Sequence, residues 1–144
     1  TGFRTADGTV FLADCLIAKE TLGKYGISFL WDVDSYLKSL EMVKQLKAEC
    51  FVPSHAPAAK NIQELVQLNI DSVNQTIQKI IFLLKQPKTF EHLLQCIFTE
   101  YGLTMSVQQY VLIGSTLRSY LAYLKNKNLI LYYFEDNQMM WKSA

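Results

Sequence analysis

Two short stretches place a chemically capable side chain at the end of an apolar run. In "GTVFLADCL" (8–16) Val10, Phe11, Leu12 and Ala13 run directly into Asp14, and in "CFVPSHA" (50–56) Cys50, Phe51 and Val52 lead to His55. The C-terminal ends of strands are where α/β proteins commonly hold ligands and catalytic groups. Carboxylate and neutral imidazole are good ligands for zinc and related transition metals. Two such residues do not complete a zinc site, which uses three or four protein ligands. Each also has a structural alternative: Asp14 as a turn or cap carboxylate, His55 as a loop histidine bonded to nearby backbone.

The elements that must position this pair can be read from the pattern around it. "ADG" (6–8) separates strand-like runs at 2–5 and 9–13, and Asp-Gly between such runs signals a hairpin. Residues 17–31 read as a loop with a short helix near 18–22, interrupted by Gly23 and Gly26. From Asp34 the apolar residues Tyr36, Leu37, Leu40, Val43 and Leu46 keep helical spacing, with Asp32 or Asp34 as cap. Cys50–Val52 then predicts a short buried strand closed by Pro53, and 53–60 a loop. Strand, helix, strand is an α/β arrangement.

Downstream, Ile62, Leu65, Val66, Ile70, Val73, Ile77, Ile80, Ile81 and Leu84 predict one long helix over 61–84 with Asn61 as cap and Pro87 marking its end. Thr89 opens another helix that runs to about Tyr101, with Gly102 as C-cap. Ser106 starts a third, whose apolar face is Tyr110, Ile113, Leu117, Tyr120, Leu121 and Leu124. Residues 129–135 and 138–142 form a hairpin around a polar turn. Helices followed by a C-terminal hairpin is the order of a winged-helix domain.

Composition narrows the function classes. The chain has 144 residues, half of them hydrophobic, so it can build a packed core. A net charge of +1 points to no strongly acidic or basic partner. No apolar run reaches the roughly 18 residues of a membrane span, so no membrane partner is expected. Cys15, Cys50 and Cys96 are an odd count without CxxC spacing, which favours a reducing, cytoplasmic setting and buried small apolar roles over a disulfide framework.

The first sixty residues resemble the C-terminal half of a metallo-β-lactamase-fold hydrolase. The resemblance rests on Gly2, the Asp7-Gly8 hairpin, "FLADCL" (11–16), the helix from Asp34 and "FVPSHA" (51–56). It implies a partial αββα sandwich over 1–60, a connecting helix over 61–86 and a mostly helical winged-helix-like domain over 87–144. It implies that Asp14 matches the aspartate bridging two metals and that His55 matches the last histidine ligand. The family's upstream H-x-H-x-D-H motif is absent from this sequence, and a further family histidine precedes the Thr-Gly with which it opens. His92, the remaining histidine, falls in the second unit. The expectation is the C-terminal fragment of a longer metal-dependent hydrolase, inactive alone. In the full-length protein two divalent ions, zinc first with iron or manganese as alternatives, would assist hydrolysis of a small-molecule substrate; this chain alone would hold none.

The same resemblance puts the loop 17–31 on the substrate side, with Lys19, Lys24, Tyr25 and Trp31 as candidate contacts. The alternative is a solvated loop with Phe29 and Trp31 packed inward. A half-sandwich would expose Val10, Leu12, Phe51 and Val52, so self-association, as in a dimer, is expected beside pairing with a missing N-terminal half. A second reading makes the chain a winged-helix nucleic-acid-binding or protein-interaction module, with Arg118 and Lys125 of the third long helix as the nucleic-acid candidates. From Lys85 onward six bases face four acids, a surplus of two, and phosphate binding usually needs a denser basic face. An interaction module is therefore favoured over nucleic-acid binding.

Overall fold

Gly8 sits at φ +85°, a left-handed conformation that glycine adopts without steric cost, and it closes the first hairpin. β1 (Phe3–Arg4) pairs antiparallel with β2 (Thr9–Ile17) in the computed structural model, which describes residues 2–144 apart from the Tyr25 side chain. Asp7 stabilises the turn by accepting from the Thr5 hydroxyl and from the Thr9 N–H at 3.1 Å, and these donors hold its carboxyl below the usual carboxylate range. At Gly2 a Cβ would collide with the carbonyl oxygen of Phe11, so the position takes only glycine.

The chain divides into two compact units: Thr1–Gly26 with Asp34–Ser72, and Ile27–Val33 with Val73–Ala144. In the first unit β2 is followed by α1 (Lys19–Tyr25) and α2 (Val33–Gln45) and then by β3 (Cys50–His55). β3 lies parallel to β2, which completes a three-stranded sheet in the order β1-β2-β3. α3 (Gln63–Leu83) follows; Asn61 starts it by accepting the Gln63 N–H at 2.9 Å. Val10, Leu12 and Leu16 of β2 alternate with more exposed neighbours and pack with Phe51, Leu40, Val43, Ile62, Val66 and Ile70 in one core.

Two expectations for this region are corrected. Of the four residues expected to be exposed, Val10, Leu12 and Phe51 are buried, because α2 and α3 already cover that side of the sheet, and Val52 is half-buried. Phe3 of β1 is left to solvent, 63% exposed and stacked on Phe11 at 4.7 Å. The strand expected to close at Pro53 runs on to His55. Proline donates no ladder bond, but Pro53 stands opposite Ala13 where the register of the two strands slips, and such irregularities tolerate it. The short helix expected near 18–22 forms as α1; it runs through Gly23 and is ended by Gly26, whose N–H bonds back to Leu22 O.

The second unit holds the C-terminal part of α3, β4 (Lys88–Thr89), α4 (Phe90–Glu100), α5 (Val107–Asn126), β5 (Ile130–Glu135) and β6 (Gln138–Ser143). Thr89 and Ser106 cap α4 and α5 by accepting from His92 N–H and Gln109 N–H. β5 and β6 form the expected hairpin; its turn residues Asp136 and Asn137 both adopt positive φ, as a two-residue type I′ loop demands. The two-residue strand β4 joins β6 to give the antiparallel order β4-β6-β5, a pairing the sequence did not signal. Leu93, Leu94 and Ile97 of α4 are fully buried, as are Leu117 and Leu124 of α5. Tyr110, expected on the buried face of α5, is exposed instead: its hydroxyl donates to Glu91 at 2.8 Å. No helix among the described residues is long and apolar enough to cross a membrane.

Candidate functional site

The ends of β2 and β3 bring the two chemically capable side chains together. His55 Nε2 lies 3.2 Å from Asp14 Oδ1, and the side chains are 61% and 79% exposed. Strict alternation along β2 would turn Asp14 to the same side as Leu12 and Leu16. It does not, because Ala13 adopts φ +49° and the ladder breaks there. Ala13 pairs with Pro53 and the next pairing is Ile17 with His55; between those points β2 has Asp14, Cys15 and Leu16 where β3 has only Ser54. The surplus forms a bulge, a device that re-aims side chains at sheet ends. Leu16 stays fully buried while Asp14 faces solvent beside His55.

The donor chemistry fits part of a metal site. Two donor atoms about 2.0–2.1 Å from one tetrahedral zinc lie roughly 3.3–3.4 Å apart, close to the 3.2 Å seen here. One imidazole nitrogen and one carboxylate oxygen supply two positions. Among the described residues no group of three or more His, Cys, Asp or Glu side chains is placed to hold an ion. His92 lies exposed in the first turn of α4, in the second unit. Beside the pair in sequence, Ala13, Pro53 and Ser54 join Phe3, Phe11 and Val52 in lining a shallow hollow of about 240 Å³.

The other candidates are distributed between the units. Lys19 and Lys24 are exposed on α1 of the first unit. The Tyr25 side chain lies outside the described residues. Trp31 belongs to the second unit and is 83% exposed, and Phe29 is 52% exposed, so neither packs inward. Their segment is held on α5: Leu30 N–H donates to Thr116 Oγ1 and Val33 N–H to Ser119 Oγ, with Ile27, Leu30 and Val33 buried. Arg118 lays its guanidinium 3.9 Å from the Phe90 ring centre, and Lys125 is exposed in the last turn of α5. Cys15, Cys50 and Cys96 are free thiols, each half-buried rather than fully buried; burial pushes the Cys15 thiol up.

One residue of the site escaped sequence reading. Asn69, 1% exposed, binds the Ile17 peptide group at the end of β2. Its signal was a polar side chain inside the apolar stripe of α3, between Val66 and Val73.

The chain is similar to a metallo-beta-lactamase family protein from Thermus thermophilus, with a TM-score of 0.73 and 15% identity. It is similar also to a beta-lactamase domain protein from Burkholderia ambifaria, with a TM-score of 0.74 and 13% identity. Both matches cover 99% of this chain and 44% of the other, so the chain spans less than half the length of these proteins. The fold is thus a part of the metallo-β-lactamase fold. No family model matches the sequence, and no curated protein matches it.

Proposed function

We propose that this chain is the C-terminal portion of a metal-dependent hydrolase of the metallo-β-lactamase superfamily, with Asp14 and His55 as two of its metal ligands. The observation that carries the reading is the convergence of the two side chains at the strand ends, 3.2 Å apart. The fold likeness supports it, since the matched part is under half of each neighbour. Divalent ions, zinc first and iron or manganese otherwise, would supply a water of lowered pKa and polarise a carbonyl or phosphoryl oxygen of a small-molecule substrate. Asp14 would contribute negative charge to hold the cations, and His55 an imidazole nitrogen donor. Exposure of both leaves the pair open to further ligands from the upstream portion. The chain alone is inactive in this reading, and its setting is the cytoplasm. Lys19, Lys24, Tyr25 and Trp31 are the proposed substrate contacts.

The second unit is proposed to be a winged-helix-like interaction module. Its two capped helices followed by a hairpin support that reading, and its charge surplus of two over residues 85–144 gives little support to nucleic-acid binding.

The deciding measurement is elemental analysis of this chain and of a version extended upstream. About two ions per extended chain and almost none here is the expected result. No metal in either form would overturn the hydrolase reading.

A further inference from the structure

We propose that Asn69 is a positioning residue for the Asp14–His55 pair; the inference rests on those two side chains being the functional pair. The bulge that turns Asp14 to solvent also deprives this end of β2 of ladder bonds. Beyond Ala13 the next pairing is Ile17 with His55. Where the pairing resumes, Asn69 adds a second hold on Ile17. Its Oδ1 accepts the Ile17 N–H at 3.1 Å and its Nδ2 donates to the Ile17 carbonyl at 3.0 Å. A neighbouring strand bonds both peptide groups of one residue in the same way, so the amide of Asn69 substitutes for a missing strand.

The amide is itself held in place. Nδ2 also donates to Leu65 O at 2.9 Å, one turn back on α3, and the Tyr36 hydroxyl donates to Oδ1 at 2.9 Å from α2. Asn69 itself is 1% exposed, so its amide is shielded from bulk water. The next amide, Ala18 N–H, donates to the carbonyl of His55 at 3.0 Å. A continuous line of bonds thus runs from α2 and α3 through Asn69 to Ile17, Ala18 and the backbone of His55, with Asp14 three residues before Ile17. The side chain of Asn69 touches neither member of the pair; it acts through the backbone between them.

The test is solution NMR of this chain without metal, so its outcome does not depend on whether the pair takes up ions. Asn69→Asp keeps the size and acceptor but removes the donor that holds the Ile17 carbonyl. Amide exchange at Ile17 and Ala18 is expected to rise at least about tenfold, given the net worth of buried hydrogen bonds. The through-space contact between the His55 imidazole and the Asp14 β protons should disappear, while the Leu40 and Val66 methyl contacts of the core persist. An intact His55–Asp14 contact with faster Ile17 exchange would overturn the proposal, because the pair would then be held without Asn69. Unchanged exchange would overturn it as well. If Asn69→Asp does not fold, Tyr36→Phe serves: it leaves the amide present but loses the hydroxyl that orients it. A rise of several-fold at Ile17 with a weakened pair contact supports positioning, and no change in either contradicts it.

Discussion

His55 Nε2 stands 3.2 Å from Asp14 Oδ1, yet both side chains are largely open to solvent. Exposed pairs of this kind contribute at most about 1 kcal/mol to stability. Asp14→Asn and His55→Gln should therefore leave the urea midpoint of the chain nearly unchanged. In an upstream-extended protein the same substitutions should cut metal content and hydrolysis sharply, Asp14→Asn through lost charge and His55→Gln through the lost nitrogen donor. A large fall in the stability of this chain in either variant would assign the pair a structural role instead.

Ala13 carries the backbone irregularity that makes this arrangement possible. A φ of +49° in a non-glycine residue costs roughly 1–2 kcal/mol. Ala13→Gly should relieve that cost while adding freedom to the unfolded chain, for a net gain of up to about 1 kcal/mol. Ala13→Val should lose about 1–3 kcal/mol, since a β-branched residue resists this conformation more than alanine. Urea unfolding of the three proteins checks the order Gly, Ala, Val. Equal stabilities would mean that the turn at Ala13 is not held in solution.

Tyr36 ties stability to alkaline pH. Burial raises its phenol above the usual value, and the charge of a Cys15 thiolate raises it further. The folded state thus keeps the proton more tightly than the unfolded state. The resulting stabilisation is fully present below the unfolded value near pH 10 and is lost as pH rises toward the higher folded value. Unfolding free energy should fall with pH above about 10 in the parent and less steeply in Tyr36→Phe. Parallel pH profiles would show that Tyr36 ionises alike in both states.

Much of this architecture was legible in the sequence because it follows local rules. Asp7-Gly8 and Asp136-Asn137 mark turns that need positive φ, and the apolar spacing along α3 sets its buried face. The tips bearing Asp14 and His55 were legible as ends of apolar runs. The details that bring the two side chains together were not. No residue type announces a left-handed alanine, and Pro53 suggested a strand end where the slipped register lets the strand continue. Asn69 looked like one polar position on a long helix; only a contact 52 residues away gives it meaning. Trp31 and Phe29 were drawn inward by hydrophobicity alone, whereas Thr116 and Ser119 anchor the backbone of their segment and leave both rings outside.

The exposed end of the first sheet predicts self-association. Phe3 is 63% exposed on a two-residue edge strand, and beneath that edge a groove of about 360 Å³ opens between β1, β2, Met42 of α2 and Leu46 just past its end. Exposed apolar surface beside an unpaired strand edge invites a second copy. Light scattering should show a mass that rises with concentration, and Phe3→Lys should bring it back toward that of one chain. A constant monomer mass over a hundredfold range of concentration would contradict this.

The nucleic-acid reading of the second unit makes a quantitative claim that its charges do not support. Of the two candidate readers on α5, Arg118 already stacks its guanidinium on Phe90 at 3.9 Å, so reaching a phosphate would cost that contact. Lys125 is then the remaining candidate on this helix. Each neutralised phosphate steepens the salt dependence of duplex binding by about 0.9. With one or two contacts the slope of log affinity against log salt should be no steeper than about −2. Substituting Arg118→Ala and Lys125→Ala together should change weak binding by only a few fold. A slope near about −5 that flattens in the double variant would instead make α5 a nucleic-acid reader, and the second unit would then have a function of its own beside the Asp14–His55 pair.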